Sequence, residues 1–64
     1  MKIIKAMIYN PSGDEIGEFD IILGFGNENF GMLKDGIKVV KIGDKWYIYN
    51  KKLLERFGLL NKVD

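Results

Sequence analysis

The sequence contains no cysteine and no histidine, and threonine and glutamine are missing as well. Without cysteine, no disulfide can staple the fold and no thiolate can hold zinc. Without histidine, the commonest neutral metal ligand and the usual general base are gone. Nucleophilic catalysis needs a hydroxyl, thiol or amine activated by a neighbouring base. Ser12 is the one serine, it sits in a turn signal, and the chain has no imidazole to activate it. Long apolar runs are also absent, and none approaches the roughly 20 residues that span a bilayer. No N-terminal stretch reads as a secretory leader. The sequence therefore points to a cytoplasmic protein with no membrane partner, no metal, no cofactor and no enzymatic activity.

The 64 residues are expected to form one domain. A chain this short buries a small fraction of its surface, and small domains compensate with staples or by self-association. With disulfides and metals removed, a homodimer becomes the expected device. The net charge is only +1, but it is unevenly spread. Lys2 and Lys5 stand against Asp14, Glu15, Glu18, Asp20 and Glu28 in residues 1–31, whereas eight basic residues outnumber four acidic ones in residues 32–64. A polarised domain presents a basic face despite a near-neutral total.

Residues 2–9 are Ile-rich and free of breakers, as a strand requires. Asn10-Pro11-Ser12-Gly13 is a strong turn, because Pro presets φ, Asn bonds back to the backbone, and Gly takes the left-handed position. Residues 15–23 return as a second strand. Two registers compete. A four-residue loop pairs Lys5 with Glu18 and Ile4 with Phe19, placing Ile4, Ala6, Ile8, Phe19, Ile21 and Leu23 on one face. A three-residue loop with a bulge at Gly13 pairs Asn10 with Asp14 and mixes charged with apolar groups. A one-residue slip exchanges the faces, so the cleaner segregation favours the four-residue loop. The nearby Glu18 and Asp20 carboxylates are best read as solvated surface, with Lys5 as partner.

Residues 24–36 combine four glycines with Phe25, Phe30, Met32 and Leu33, too apolar for a solvated loop. Lys34-Asp35-Gly36 reads as a tight turn after a short strand near 29–33. The segment lacks the Gly-Lys-Ser/Thr ending of a phosphate loop, and Asn27-Glu28-Asn29 offers too few oxygens for calcium. Residues 37–42 and 45–50 form the clearest hairpin, with Gly43-Asp44 suited to a type II′ turn. Asn50 is a helix N-cap candidate, Leu53, Leu54, Phe57 and Leu60 form an apolar stripe, and Gly58 is a stop signal. The domain thus divides into a hairpin (2–23), a glycine-rich connection with a short strand (24–36), a second hairpin (37–50) and a helix (51–58).

The second hairpin carries the best functional constellation. Ile37, Val39, Lys41, Trp46 and Ile48 make the better core face, with the Lys41 ammonium reaching outward toward the Trp46 ring. Lys38, Val40, Ile42, Lys45, Tyr47 and Tyr49 form the other face. Aromatic rings stack on bases and lysines neutralise phosphate, so Lys38, Lys41, Lys45, Tyr47, Tyr49, Lys51 and Lys52 are the candidate nucleic-acid contacts. A plainer account has Tyr47 and Tyr49 half-buried beneath the helix.

The run from Lys38 to Leu59 resembles the AbrB/MazE-like swapped-hairpin DNA-binding domains. The resemblance rests on Lys41-Ile42-Gly43, the polar turn Asp44-Lys45, Ile48, the stretch from Lys51 to Glu55, and Gly58-Leu59. It implies a homodimeric regulator that binds DNA rather than RNA through Lys38, Lys41 and Lys45, with residues 2–23 as a permuted second hairpin. The residue pattern by itself gives a mainly β fold with a C-terminal helix: a hairpin plus a three-stranded sheet in a small SH3-like or chromo-like barrel. Two functional expectations follow. The first is a non-enzymatic nucleic-acid-binding domain. The second is a protein-interaction module, a small inhibitor or assembly subunit, that uses Phe25, Phe30, Met32 and Leu33 or an exposed sheet edge.

Overall fold

A computed structural model describes residues 2–24, 26 and 28–58. Five strands run in chain order: β1 (Lys2–Tyr9), β2 (Glu15–Leu23), β3 (Phe30–Leu33), β4 (Lys38–Ile42) and β5 (Lys45–Ile48). They form a closed barrel in the order β1-β2-β3-β4-β5, followed by helix α1 (Lys51–Arg56). The mainly β class, the small barrel and the closing helix are those expected from the residue pattern. The five strands of one chain complete the barrel.

Each sequential pair is antiparallel, so odd-numbered strands share a direction. Closure of a five-stranded meander must therefore join β1 and β5 in parallel, and Ile8 pairs with Trp46 and Tyr9 with Tyr47 in that sense. The interior holds Ile8, Ile21, Leu33, Val39 and Trp46, with Ile4, Ala6, Leu23 and Ile48 packed against them. These are the inward positions of period-2 strands.

The first hairpin corrects the expected register. At its tip the chain adopts the three-residue loop: the Asn10 amide donates to the Asp14 carbonyl at 2.9 Å and the Gly13 amide to the Asn10 carbonyl at 2.9 Å. Gly13 has φ +96°, and the Asn10 side-chain oxygen accepts from the amides of Ser12 and Asp14. Farther down, Ile8 pairs with Gly17 while Tyr9 pairs with Glu15, which leaves Ile16 as an extra residue on β2. The bulge adds a second one-residue slip to the first. Two slips restore the parity, so Ile4 faces Ile21 and Ala6 faces Phe19, and the apolar face survives. Lys5 consequently faces Asp20, and Met7 faces Glu18. Asp20 pairs instead with Lys34, at 3.1 Å.

The turn at residues 34–36 repeats the geometry of the first. The Leu33 amide donates to the Ile37 carbonyl at 2.8 Å, the Gly36 amide to the Leu33 carbonyl at 2.9 Å, and Gly36 has φ +95°. The second hairpin has the expected register, Val39 with Ile48, Val40 with Tyr47 and Ile42 with Lys45. Gly43 alone of its turn has positive φ (+65°), as a type II′ turn requires.

The Asn50 side chain accepts from the Leu53 amide at 3.0 Å and caps α1. Gly58 follows the helix with φ +68°. Leu53 and Leu54 are buried, but Phe57 is exposed, and Ile37 is likewise exposed although it was assigned to the core face. Ile37 falls outside β4, where alternation no longer directs its side chain inward. Helical geometry ends at Arg56, so Phe57 falls outside the buried stripe. Leu60 lies outside the described residues.

Candidate interaction surfaces

Barrel parity sorts the outward side chains into rows, because directly paired residues stand side by side on one face. One row crosses β1, β5, β4 and β3 as Tyr9, Tyr47, Val40 and Phe30. Val40 is fully buried despite facing outward and lies outside the interior cluster. Leu53 and Leu54 of α1 are likewise buried and likewise lie outside the interior cluster. Tyr9, Tyr47, Phe30 and Tyr49 are half-buried.

These aromatic residues make specific contacts. The rings of Tyr9 and Tyr47 lie 5.8 Å apart at 41°, and the Lys45 ammonium sits 5.1 Å from the centroid of Tyr9. Phe30 and Tyr49 meet edge to face at 6.3 Å. Thus the cation–aromatic contact forms between Lys45 and Tyr9, not between Lys41 and Trp46. Tyr9 went unrecognised in the sequence because only the parallel closure brings it beside Tyr47.

A second row crosses β1 to β4 as Ile3, Ile22, Met32 and Lys38. Ile3 is 56% exposed, the highest value among the exposed large apolar residues, while Ile22 and Met32 are half-buried. Three apolar side chains therefore adjoin on the outer wall, ending at an exposed lysine. This row contains Met32 of the expected sticky segment, and Phe30 shares the outer face. Leu33 does not belong with them: it is 6% exposed and part of the core, because strand alternation turns it inward. Phe25 lies outside the described residues.

A shallow groove of about 330 Å³ opens where β2 outruns β3. Its lining includes Phe19 and Leu33 below, with Lys5, Glu18, Asp20, Lys34 and Asp35 around them. Phe19 has inward parity but is 41% exposed, since β3 stops at Leu33 and no described strand covers it there.

The expected basic contacts do not form one patch. Lys38 and Lys45 are exposed on the outer face, but they occupy opposite ends of the second hairpin, about 13 Å apart by strand rise between Lys38 and Ile42. Lys41 has inward parity, stands opposite Trp46 and is half-buried. Lys51 and Lys52 are exposed in the first turn of α1. The structure brings together Lys45, Tyr47 and Tyr9 at one end, and places Lys38 next to Tyr49 through the Tyr49 amide, which donates to the Lys38 carbonyl at 2.9 Å.

Among known proteins, the chain is similar to the H/ACA ribonucleoprotein complex subunit GAR1 of Eremothecium gossypii. They are 48% identical over 59 residues, covering 83% of this chain and 28% of the relative. The chain therefore spans under a third of that relative's length. No protein-family model matches the sequence. No solved structure matches it either.

Proposed function

We propose that this barrel is a non-catalytic protein-interaction module that docks as a subunit into a larger assembly. The observation that carries the proposal is the outward apolar row Ile3–Ile22–Met32. Contiguous apolar side chains on an outer sheet wall mark a surface with a partner, whereas isolated ones are ordinary. Similarity to a ribonucleoprotein complex subunit supports an assembly of that kind. The barrel's small size also suits a part that gains stability from its neighbours.

The test is quantitative co-purification from the source cell. Ile3→Asp with Met32→Asp should strip away the proteins retained by the native chain, while the circular dichroism spectrum stays unchanged. Equal recovery of the same partners by this variant, at equal fold content, would refute the reading.

A second reading is favoured by the Lys45–Tyr9–Tyr47 cluster. In this reading the domain contacts nucleic acid, as the partial resemblance to DNA-binding swapped-hairpin regulators also suggests. Stacking on an aromatic face tolerates any base, and the phosphate contribution weakens as salt rises. Anisotropy with labelled single-stranded RNA and with duplex DNA at low salt separates the two polymers. Binding that disappears in the Lys38→Glu, Lys41→Glu, Lys45→Glu triple variant, with the circular dichroism spectrum unchanged, supports this reading. Absence of binding to both polymers at low salt eliminates it.

A further inference from the structure

The two sides of β2 are unequally paired. β1 covers it along its whole length, from Glu15 to Leu23. On the other side, the register with β3 pairs Ile21 and Ile22 among the described residues. The hydrogen-bond phase can be read from the neighbouring turn. Leu33 directs its amide toward Ile37 of the following segment, so Met32, of opposite phase, directs its backbone groups toward Ile22. Backbone phase repeats every second residue. Asp20 and Glu18 therefore point their amide and carbonyl groups to the same side as Ile22, past the end of β3. Among the described residues these groups have no backbone partner on that side.

This unpaired edge borders the groove. Phe19 and Leu33 supply its apolar lining, and Glu18, Asp20 and Asp35 supply its acidic lining. Glu15 continues the acidic line along the same strand, and the bulged Ile16 beside it is 50% exposed. Of the two lysines in the lining, Lys34 is already paired with Asp20. The site thus combines the backbone groups of Glu18 and Asp20, unpaired on that side among the described residues, with apolar lining and an excess of negative charge.

We propose that the open edge of β2 at Glu18 and Asp20 accepts an extended basic peptide as an added strand. Main-chain bonds to the edge hold it, as in strand addition generally. Side chains on one face of the peptide settle over Phe19 and Leu33 and are apolar. Those on the other face lie beside Glu15, Glu18 and Asp20 and are lysine or arginine. This inference rests on the interaction-module reading but uses a different surface from the Ile3–Ile22–Met32 row.

The probes are capped eight-residue peptides, one alternating Lys and Val and one alternating Glu and Val, titrated into the isotopically labelled full chain. The Lys-Val peptide should bind, and the amide resonances of residues 15–20 and 33–36 should move most. The Glu-Val peptide should bind at least about tenfold more weakly, the discrimination expected when like charges face each other. N-methylation of alternate amides in the Lys-Val peptide, on the edge that meets β2, should abolish binding. Glu15→Lys with Glu18→Lys should reverse the charge preference while leaving the barrel spectrum intact. Failure of the Lys-Val peptide to bind, equal binding of both peptides, or indifference to N-methylation would overturn the proposal. Concentration-dependent self-association abolished by the same Lys substitutions would overturn it too, since the occupant would then be a second copy. None of these failures touches the co-purification test of the outer row, so the site and the general reading fail separately.

Discussion

Gly31 lies at the centre of β3, pairs with Val39 and is fully enclosed. Its backbone conformation is open to any L-residue, and the constraint is space. A Cβ placed there would lie 2.5 Å from Ile21 Cγ2, 3.1 Å from the Ile22 carbonyl oxygen and 3.1 Å from Leu23 Cδ2. Ile21 has no exposed surface and sits in the barrel interior, so its methyl has little room to retreat. Gly31→Ala must therefore either rotate Ile21 off its rotamer or push β3 away from β2. Overpacking of this kind costs about 1–3 kcal/mol. The lower unfolded-state entropy of Ala returns roughly 0.5–1 kcal/mol. The net loss of about 0–2.5 kcal/mol is centred near 1 kcal/mol, which lowers the melting temperature by roughly 4–8 °C in a domain of this size. The assay is thermal and urea unfolding followed through Trp46, which is buried in the native barrel. Ile21→Leu removes the offending Cγ2 at nearly constant volume, so in the Gly31→Ala background it should cost less than it does alone. A raised melting temperature for Gly31→Ala, or strict additivity with Ile21→Leu, would show that β3 does not approach β2 as closely as described.

Three further outcomes follow from the same contacts. Asn50→Ala removes the side-chain acceptor of the Leu53 amide and should destabilise the domain by about 1 kcal/mol in urea unfolding, with Asn50→Asp recovering most of it. Leu54→Ala empties a fully buried site and should cost about 2–5 kcal/mol, enough to leave little folded protein at 37 °C by circular dichroism. A double-mutant cycle between Tyr9→Leu and Lys45→Met should yield a coupling of about 0.5–1 kcal/mol, whereas the pair Trp46→Phe and Lys41→Met should show none of cation–aromatic origin.

The register and turn of the second hairpin were legible, because that information is local. Gly43 admits a positive φ, Asn50 caps a helix, and alternation separates Val39 and Trp46 from Lys38 and Lys45. The first hairpin was legible only in its faces. Pattern analysis weighs parity, and the two one-residue slips at Gly13 and Ile16 leave parity unchanged while moving Lys5 from Glu18 to Asp20. Nothing in the local composition distinguishes zero slips from two. The third strand was found, but Leu33 was assigned to a sticky surface with Met32 although successive residues face opposite sides. That error came from treating an apolar segment as a patch rather than as a strand. The candidate site fared worse because its members meet through long-range pairing. Tyr9 joins Tyr47 only at the barrel seam, and Ile3, Ile22 and Met32 adjoin only across three strands.

Strand number and strand length together explain why this barrel has surfaces left to offer. A five-stranded meander must close through a parallel pair, and here that seam involves only two residues of each strand. Parallel pairing is slightly weaker per residue than antiparallel pairing. Meanwhile β1 and β2 have eight and nine residues, against four in β3 and four in β5. Among the described residues the long hairpin therefore outruns its neighbours on both sides, and part of its backbone has no strand beside it. Exposed edges invite indiscriminate pairing unless charge or a bulge guards them. On β2 both devices are present, with Ile16 as the bulge and Glu15, Glu18 and Asp20 as the charges. Like-charged edges of two copies repel, so β2 is protected against pairing with β2. The same carboxylates do not repel a strand that carries lysine or arginine. Negative charge at this edge thus selects among partners while the bulge limits how far an added strand can extend toward the hairpin tip. An acidic hairpin that looked merely structural in the sequence becomes the place where the fold discriminates one class of strand from another.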